Sequence, residues 1–317
     1  MFVNLRRFVN LTRFVSPKRK DKMLRELPLY FMLLPAVILV GIYSYGSMAG
    51  IVIAFQKFIP AKGMFGQQDW VGLKNFVTLF SMPNIWQVIQ NTVIIASFKL
   101  IGGVIVPVVF ALMLNEVRNI LTKRVFQTLV YLPHFLSWII LSGILLNILS
   151  PSEGLVNILL SKIGIEPIFF LGNPDVFPAT MVVSDIWKTF GFASVIYLAA
   201  LTSIDPSLYE AAVIDGANRW RQTWHITLPG ISAMVVLMTV LGLANILNGG
   251  FDQIYNMYSP VVYSTGDILD TLVFRLGIEQ AQYSLSTAAG LFKSVVSMIF
   301  IIVSYYLADK FTGYRVF

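Results

Sequence analysis

The chain of 317 residues is 56% apolar, 14% aromatic and only 12% charged, with a mean hydropathy of +0.74. A soluble domain carries about twice that charged fraction, so the composition is that of an integral membrane protein. With no cysteine and only two histidines, His134 and His225, the sequence excludes a disulfide scaffold, a thiolate zinc site, an iron–sulfur ligand set and a cysteine nucleophile, and it offers no metal site.

Residues 1–26 form a basic tail ahead of the first apolar segment. It contains a near-repeat, Asn4-Leu5-Arg6-Arg7-Phe8-Val9 followed by Asn10-Leu11-Thr12-Arg13-Phe14-Val15. Apolar groups interleaved with arginine suit a membrane interface, and the six-residue period suits an irregular tail equally well. No uninterrupted apolar run precedes a small-residue cleavage site, so no signal peptide is expected. Crossing a hydrocarbon core of roughly 30 Å takes about 20 apolar residues. Six segments of residues 27–317 meet that length: Leu27–Phe55, Trp86–Leu114, Val125–Leu149, Pro178–Leu201, Gly230–Phe251 and Ser284–Ala308. The expected fold is therefore all-α and polytopic, with six transmembrane helices.

Of the 23 Lys and Arg, fifteen fall in the two tails and the two connections that share their side, five fall opposite and three lie inside spans. The positive-inside rule puts both termini in the cytoplasm. The basic excess then faces anionic headgroups, and a nucleic-acid partner is not expected. The outward connections, Gln56–Ile85, Ser150–Phe177 and Asp252–Tyr283, are long enough for short helices. Their acids Asp69, Glu153, Glu166, Asp175, Asp252, Asp267, Asp270 and Glu279 read as solvated loop charge or as a docking rim for an external protein.

The cytoplasmic stretch 202–229 is the most informative. Asp205 is a good N-cap and Pro206 a good first helical residue. Leu208, Ala211, Ala212 and Asp215 follow at helical spacing, and Gly216 is a natural stop. A second short helix is expected through Trp220 and Trp224, ending before Pro229. Helices that protrude between spans need a partner to cover Leu208, Ala212 and Ile214. The small Ala211 and Ala212 allow close approach, and Glu210 supplies a charge.

Glu210-Ala211-Ala212, then three residues, Gly216, then nine residues, Ile226-Thr227-Leu228-Pro229, resembles the EAA loop of binding-protein-dependent ABC importer permeases. Val71-Gly72-Leu73-Lys74-Asn75-Phe76 ahead of Asn91-Thr92, Leu132-Pro133, and Gly154-Leu155-Val156-Asn157 are similar to segments of the sugar permeases of that family. The C-terminal third is most similar to the subgroup importing oligo- and polysaccharides, the larger permease of alginate importers included. The resemblance implies the type I importer permease fold in a bacterial inner membrane. It implies a second permease as partner, a paralogue in a heterodimer, together with two ATPase subunits docked on the EAA helices and a periplasmic or extracellular solute-binding protein. It also implies that Glu210, Ala211, Ala212, Asp215 and Gly216 couple ATPase closure to the spans. The chain has no GxxxxGK[ST] loop, so it is expected to be a transport subunit rather than an enzyme. It should bind no cofactor itself, ATP and Mg belonging to the partner ATPase.

Ionisable groups inside spans face a cavity or a partner. Asp185 and Lys188 stand at i,i+3 on span four and either neutralise one another or line the substrate path. Lys99 and Lys293 lie well inside spans two and six and would serve as counter-charges to an anionic saccharide. Asn245, Asn248 and Asp252 read as one polar stripe of span five, either packing glue or a path for sugar hydroxyls. Trp187 and Tyr255 offer rings for sugar faces, the Gly249-Gly250 pair could loosen span five locally, and His134 is expected to be a polar group satisfied by neighbouring helices beside Pro133. The competing function is a secondary transporter or channel using the intramembrane Asp and Lys residues, which gives the Glu210–Gly216 helix no purpose.

Overall fold

The computed structural model describes residues 17–64, 66–243 and 246–312, and side-chain surroundings within 26–306. The near-repeat of residues 4–15 and Asn245 lie outside the described residues. The chain divides into two compact units, Met1–Val52 and Ile53–Phe317. In the first, helix α1 (Pro17–Val40) continues through a wider π-helical turn at Gly41–Tyr45.

Five helical stretches are long and apolar enough to span a membrane: Glu26–Phe55, Ile85–Asn115, Phe177–Thr202, Arg219–Leu243 and Tyr283–Tyr306. A sixth consists of two pieces, Ile120–Phe135 and Trp138–Ile148, bent by 107°. The third expected span is thus broken rather than straight. Pro133 has no N–H to give the helix, Leu136 is extended (φ −82°, ψ 139°), and Ser137 caps the next piece by accepting from Ile140 N.

The second unit is built around α2 (Ile85–Asn115) and α3 (Phe177–Thr202), its most extensively packed pair of helices. Gly102 lies at their contact, where a Cβ would stand 2.1 Å from Ile186 Cδ1. One core cluster joins Val108, Ala111, Tyr197, Leu201 and Ile231, and a second gathers Ile95, Phe177, Met181, Ile254 and Ile268. Gly191 of α3 lies against backbone of α4 (Ile120–Tyr131), where a Cβ would stand 2.2 Å from the Val130 carbonyl oxygen.

Span five departs most from expectation. Helix α5 (Leu228–Leu243) continues without a stop from α6 (Arg219–Gln222), so Pro229 does not end it. The π-helical turn Thr223–Thr227 between them shifts the hydrogen-bond ladder just ahead of the proline, whose missing N–H then costs the helix little. At the other end the described residues 246–250 are not helical, so the span does not run on as one helix to Phe251. Gly250 takes φ 90°, open to glycine and hostile to other residues, and α7 (Phe251–Met257) starts there.

The outer connections carry the expected short helices and are closed by polar side chains the sequence motifs contain. A two-residue ribbon pairs Gln56 with Trp70 and Lys57 with Asp69, and Asn75 donates to the carbonyls of Ala54 and Gln56. Buried Asn157 bonds Ser150 O at 2.9 Å and both backbone groups of Ile168, at 3.0 and 2.8 Å. Asn91 donates to Ser264 O and Asp267 O, both at 3.2 Å, and Thr92 accepts from Leu269 N.

Because a backbone oxygen cannot give way as a side-chain tip can, Gly191→Leu should force α3 and α4 apart. We expect a loss of about 3 kcal/mol or more, read as a lowered midpoint of thermal unfolding in detergent; an unchanged midpoint would refute the packing.

Candidate functional site

Helix α8 (Pro206–Ile214) protrudes as expected. Asp205 accepts from Ser207 N at 2.9 Å, and that bond holds its carboxyl below the ordinary carboxylate range. The folded-state pKa is depressed, so the cap stabilises the helix above the ordinary range and is lost as pH falls below it. At the other end Gly216 N bonds Val213 O at 3.1 Å and Ala217 N bonds Ala212 O at 2.8 Å, with Gly216 at φ 74°. These two bonds are a Schellman stop, which needs the left-handed conformation.

Ile214 is 85% exposed, Val213 63% and Leu208 51%, while Ala212 is half-buried. Glu210, Ala211 and Asp215 are also exposed. The helix thus presents an uncovered apolar face bordered by carboxylates. It is not loosely attached. Tyr209 Oη lies 3.0 Å from Thr227 Oγ1, and Ile204 packs onto Gly230 at the start of α5. Beyond it Asn218 caps α6, and Arg219 forms an ion pair with Glu116 at the end of α2.

A cavity of about 430 Å³ lies among α2, α3 and α5, lined by Lys99, Asp185, Tyr197, Asn248 and Gly250 among others. A second, of about 460 Å³, is lined by Asn248, Asp270, Gly290, Lys293, Ser294 and Ser297. Asn248 therefore borders both.

The expected charge pairings are redistributed. Asp185 pairs with Lys99 across two helices, at 3.7 Å, and not with Lys188. Lys188 makes no ion pair among the described residues; its ammonium lies 4.6 Å from the centre of the Trp138 ring. Lys293 is neutralised by Asp270, so it is no unpaired counter-charge. The expected polar stripe of span five does not exist as a helix face, because Asn248 lies in the break and Asp252 in the first turn of α7.

Trp187 is exposed and lines neither cavity. Tyr255 lies in an aromatic cluster with Phe251 and Phe274, their ring centres 5.2 and 4.7 Å away. His134 stacks on Phe192 at 4.2 Å, but its buried Nδ1 has no hydrogen-bond partner among the described residues, against expectation.

Among the outer acids, Asp69, Glu153, Glu166, Asp175, Asp252 and Glu279 are exposed, whereas Asp267 is buried. Asp267 takes two bonds from Arg275, one at 3.1 Å, and one from Thr271 at 2.7 Å. Burial opposes the Arg275 charge, but those bonds outweigh it and raise its pKa above the ordinary value.

Residues 103–313 match the protein family described as binding-protein-dependent transport system inner membrane component. The chain belongs to this family. It is an ABC transporter permease, a transport subunit and not an enzyme. It is 40% identical to the polygalacturonan/rhamnogalacturonan transport system permease protein YteP of Bacillus subtilis, over 96% of this chain and 95% of that one. It is likewise 40% identical to Protein LplB of Bacillus subtilis, over 90% of each. Among solved structures it superposes with a TM-score of 0.85, at 39% identity over 93% of this chain and 99% of the other, on a chain of a bacterial ABC transporter involved in the import of the acidic polysaccharide alginate. That shared fold is the type I permease fold, with the bent pair counted as one of its six spans.

Replacing Gly216 in this permease by Ala puts a side chain into left-handed backbone at about 1 kcal/mol or slightly more. Amide exchange at Ala217, whose N–H closes the stop, should speed about fivefold; an unchanged rate would show that the stop does not hold the helix end.

Proposed function

We propose that this permease carries an acidic oligo- or polysaccharide from an external solute-binding protein into the cytoplasm, driven by ATP hydrolysed on partner subunits. The observation that carries the ATP-driven part is α8, a helix capped at both ends whose apolar face nothing among the described residues covers. An ion-driven transporter has no use for such a surface, whereas an ATPase subunit docked there covers Leu208, Val213 and Ile214 and can move the spans through Tyr209 and Ile204. Glu210, Ala211, Ala212, Asp215 and Gly216 form this coupling surface. ATP and Mg belong to two such ATPase subunits. A second permease, a paralogue of this one, completes the transporter in a bacterial inner membrane. Residues 1–26 make a basic cytoplasmic tail, residues 27–317 the six-span permease, and both termini face the cytoplasm.

The acidic saccharide is supported by the company the chain keeps. YteP is named for polygalacturonan and rhamnogalacturonan, and the transporter on which the present chain superposes is involved in the import of an acidic polysaccharide. The chemistry of the spans is compatible with that cargo. The Lys188 ammonium lies 4.6 Å from the centre of an indole face, a setting that suits a saccharide carboxylate beside a sugar ring. Asn248, Asp185 and Lys293 supply polar groups at the two cavities.

Purification of the intact transporter with its binding protein tests this directly. Hydrolysis of ATP should rise with an acidic oligosaccharide and not with an ion gradient; uptake under an ion gradient without ATP would overturn the reading. Glu210→Lys should leave the chain inserted and abolish at least nine-tenths of the stimulated hydrolysis, and full stimulation would remove the coupling role. Lys188→Met should raise the half-saturating concentration of an acidic saccharide about tenfold, the scale of one lost charged hydrogen bond, and leave a neutral one unaffected. Equal shifts for both would dismiss Lys188 as a carboxylate contact.

A further inference from the structure

The break in span five has a specific support. Between α5 and α7 the described residues 246–250 are not helical: Ile246 N turns back onto Leu243 O and the Gly250 carbonyl joins α7 by accepting from Ile254 N, but the Gly249 carbonyl is released from both helices. At membrane depth such groups must find partners inside the protein. The Gly249 carbonyl finds Lys99 Nζ, 2.8 Å away on α2. The same ammonium donates to Gln253 Oε1 in the first turn of α7. Gln253, fully buried, donates in turn from Nε2 to Met181 O and Ser184 Oγ of α3, both at 2.8 Å. The Lys99 side chain is only 9% exposed, and Asp185 at 3.7 Å is its counter-ion. Gly250 is fitted to this arrangement twice over: its φ is 90°, and a Cβ there would stand 2.7 Å from the ammonium.

We propose that Lys99 is a positioning residue for transport, one that holds span five broken and thereby keeps Asn248 in the wall between the two cavities. Its effect on transport rests on the path proposed above; its hold on Asn248 does not. Two contacts do different work. The carbonyl bond sets the geometry because it is short and acts on the released segment itself. Asp185 stands farther off and keeps the buried charge neutral. Without the ammonium, the Gly249 carbonyl and the Gln253 amide oxygen both lose their donor. Winding residues 246–250 into one helix continuous from α5 to α7 would satisfy the carbonyl again, from the N–H of Gln253, and it would turn Asn248 out of the wall.

The chain has no cysteine, so Asn248→Cys introduces a single thiol. In membranes carrying the assembled transporter, its labelling by a small methanethiosulfonate should slow at least tenfold when Lys99→Met is added. With Asp185→Asn instead, labelling should stay within twofold, because both close contacts survive. Equal labelling with and without Lys99→Met overturns the proposal, and so does a tenfold slowing from Asp185→Asn alone, which would assign the hold to the ion pair. Gln253→Leu cuts the other arm and answers the question where Lys99→Met does not accumulate: slowing supports the proposal and unchanged labelling overturns it. With Asn248 intact, Lys99→Met should raise the saccharide concentration that half-stimulates ATP hydrolysis about tenfold and leave the maximal rate alone. Loss of both alike would mean a merely structural lysine and would overturn the positioning role. Slowed labelling with unaltered stimulation would leave the hold on Asn248 standing and remove Asn248 from the path.

Discussion

Hydrocarbon offers no water, so each backbone N–H or C=O released from a helix at membrane depth must be met by another part of the protein. That constraint organises this permease more than any single charge does. Its spans are not six plain rods. One bends by 107° and another stops short and restarts, and each irregularity needs a local answer. Ser137 answers the first as an N-cap and Lys99 answers the second from another span. At the outer end Asn91 and Thr92 do the same for the backbone between Ser264 and Leu269. Polar side chains that a hydropathy plot presents as candidates for a substrate path are in several cases the groups that make irregular backbone affordable there.

Charge follows the same logic. A lone ion inside the bilayer costs several kcal/mol by insertion measurements, and most of the ions here are paired. Lys99 faces Asp185 and Lys293 faces Asp270, and in the outer connection Arg275 faces Asp267 likewise. Both cavities are thus close to neutral before any cargo arrives. Lys188 stands apart, held over an indole ring rather than against a carboxylate. On the path proposed above, a cation without an ion pair among the described residues could take up a carboxylate without first breaking one.

Features governed by neighbours in sequence were legible beforehand. The α8 helix is the clearest case. Its cap Asp205, first-turn Pro206 and stop Gly216 act within a turn of themselves, and each does in three dimensions what its chemistry indicates. Span positions were legible too, because some 20 apolar residues in a row have few other uses. What escaped was long-range. Spacing i,i+3 assigned Asp185 to Lys188, since sequence contains no measure of the nearer Lys99 on another helix. Averaged hydropathy ran straight through Leu136-Ser137 and through Gly249-Gly250, although the flexible glycine pair was itself a signal of a break. Asp267 was indistinguishable from its solvated neighbours because its burial depends on Arg275 and Thr271 folding over it.

The two ends of span five connect these observations. Its cytoplasmic end is continuous with α6 through a π-helical turn and is tied to α8 by Tyr209 and Thr227. Its outer end is the break that Lys99 holds. With the coupling role proposed above, a displacement of α8 would pass into a continuous helix at one end and reach a discontinuous segment at the other. A continuous helix would carry that displacement onward as a rigid shift of everything attached to it. A broken one can pivot at Gly249-Gly250, where glycine allows large changes of backbone angle, while α7 stays anchored to α3 through Gln253. The break thus offers a pivot beside Asn248, the residue bordering both cavities.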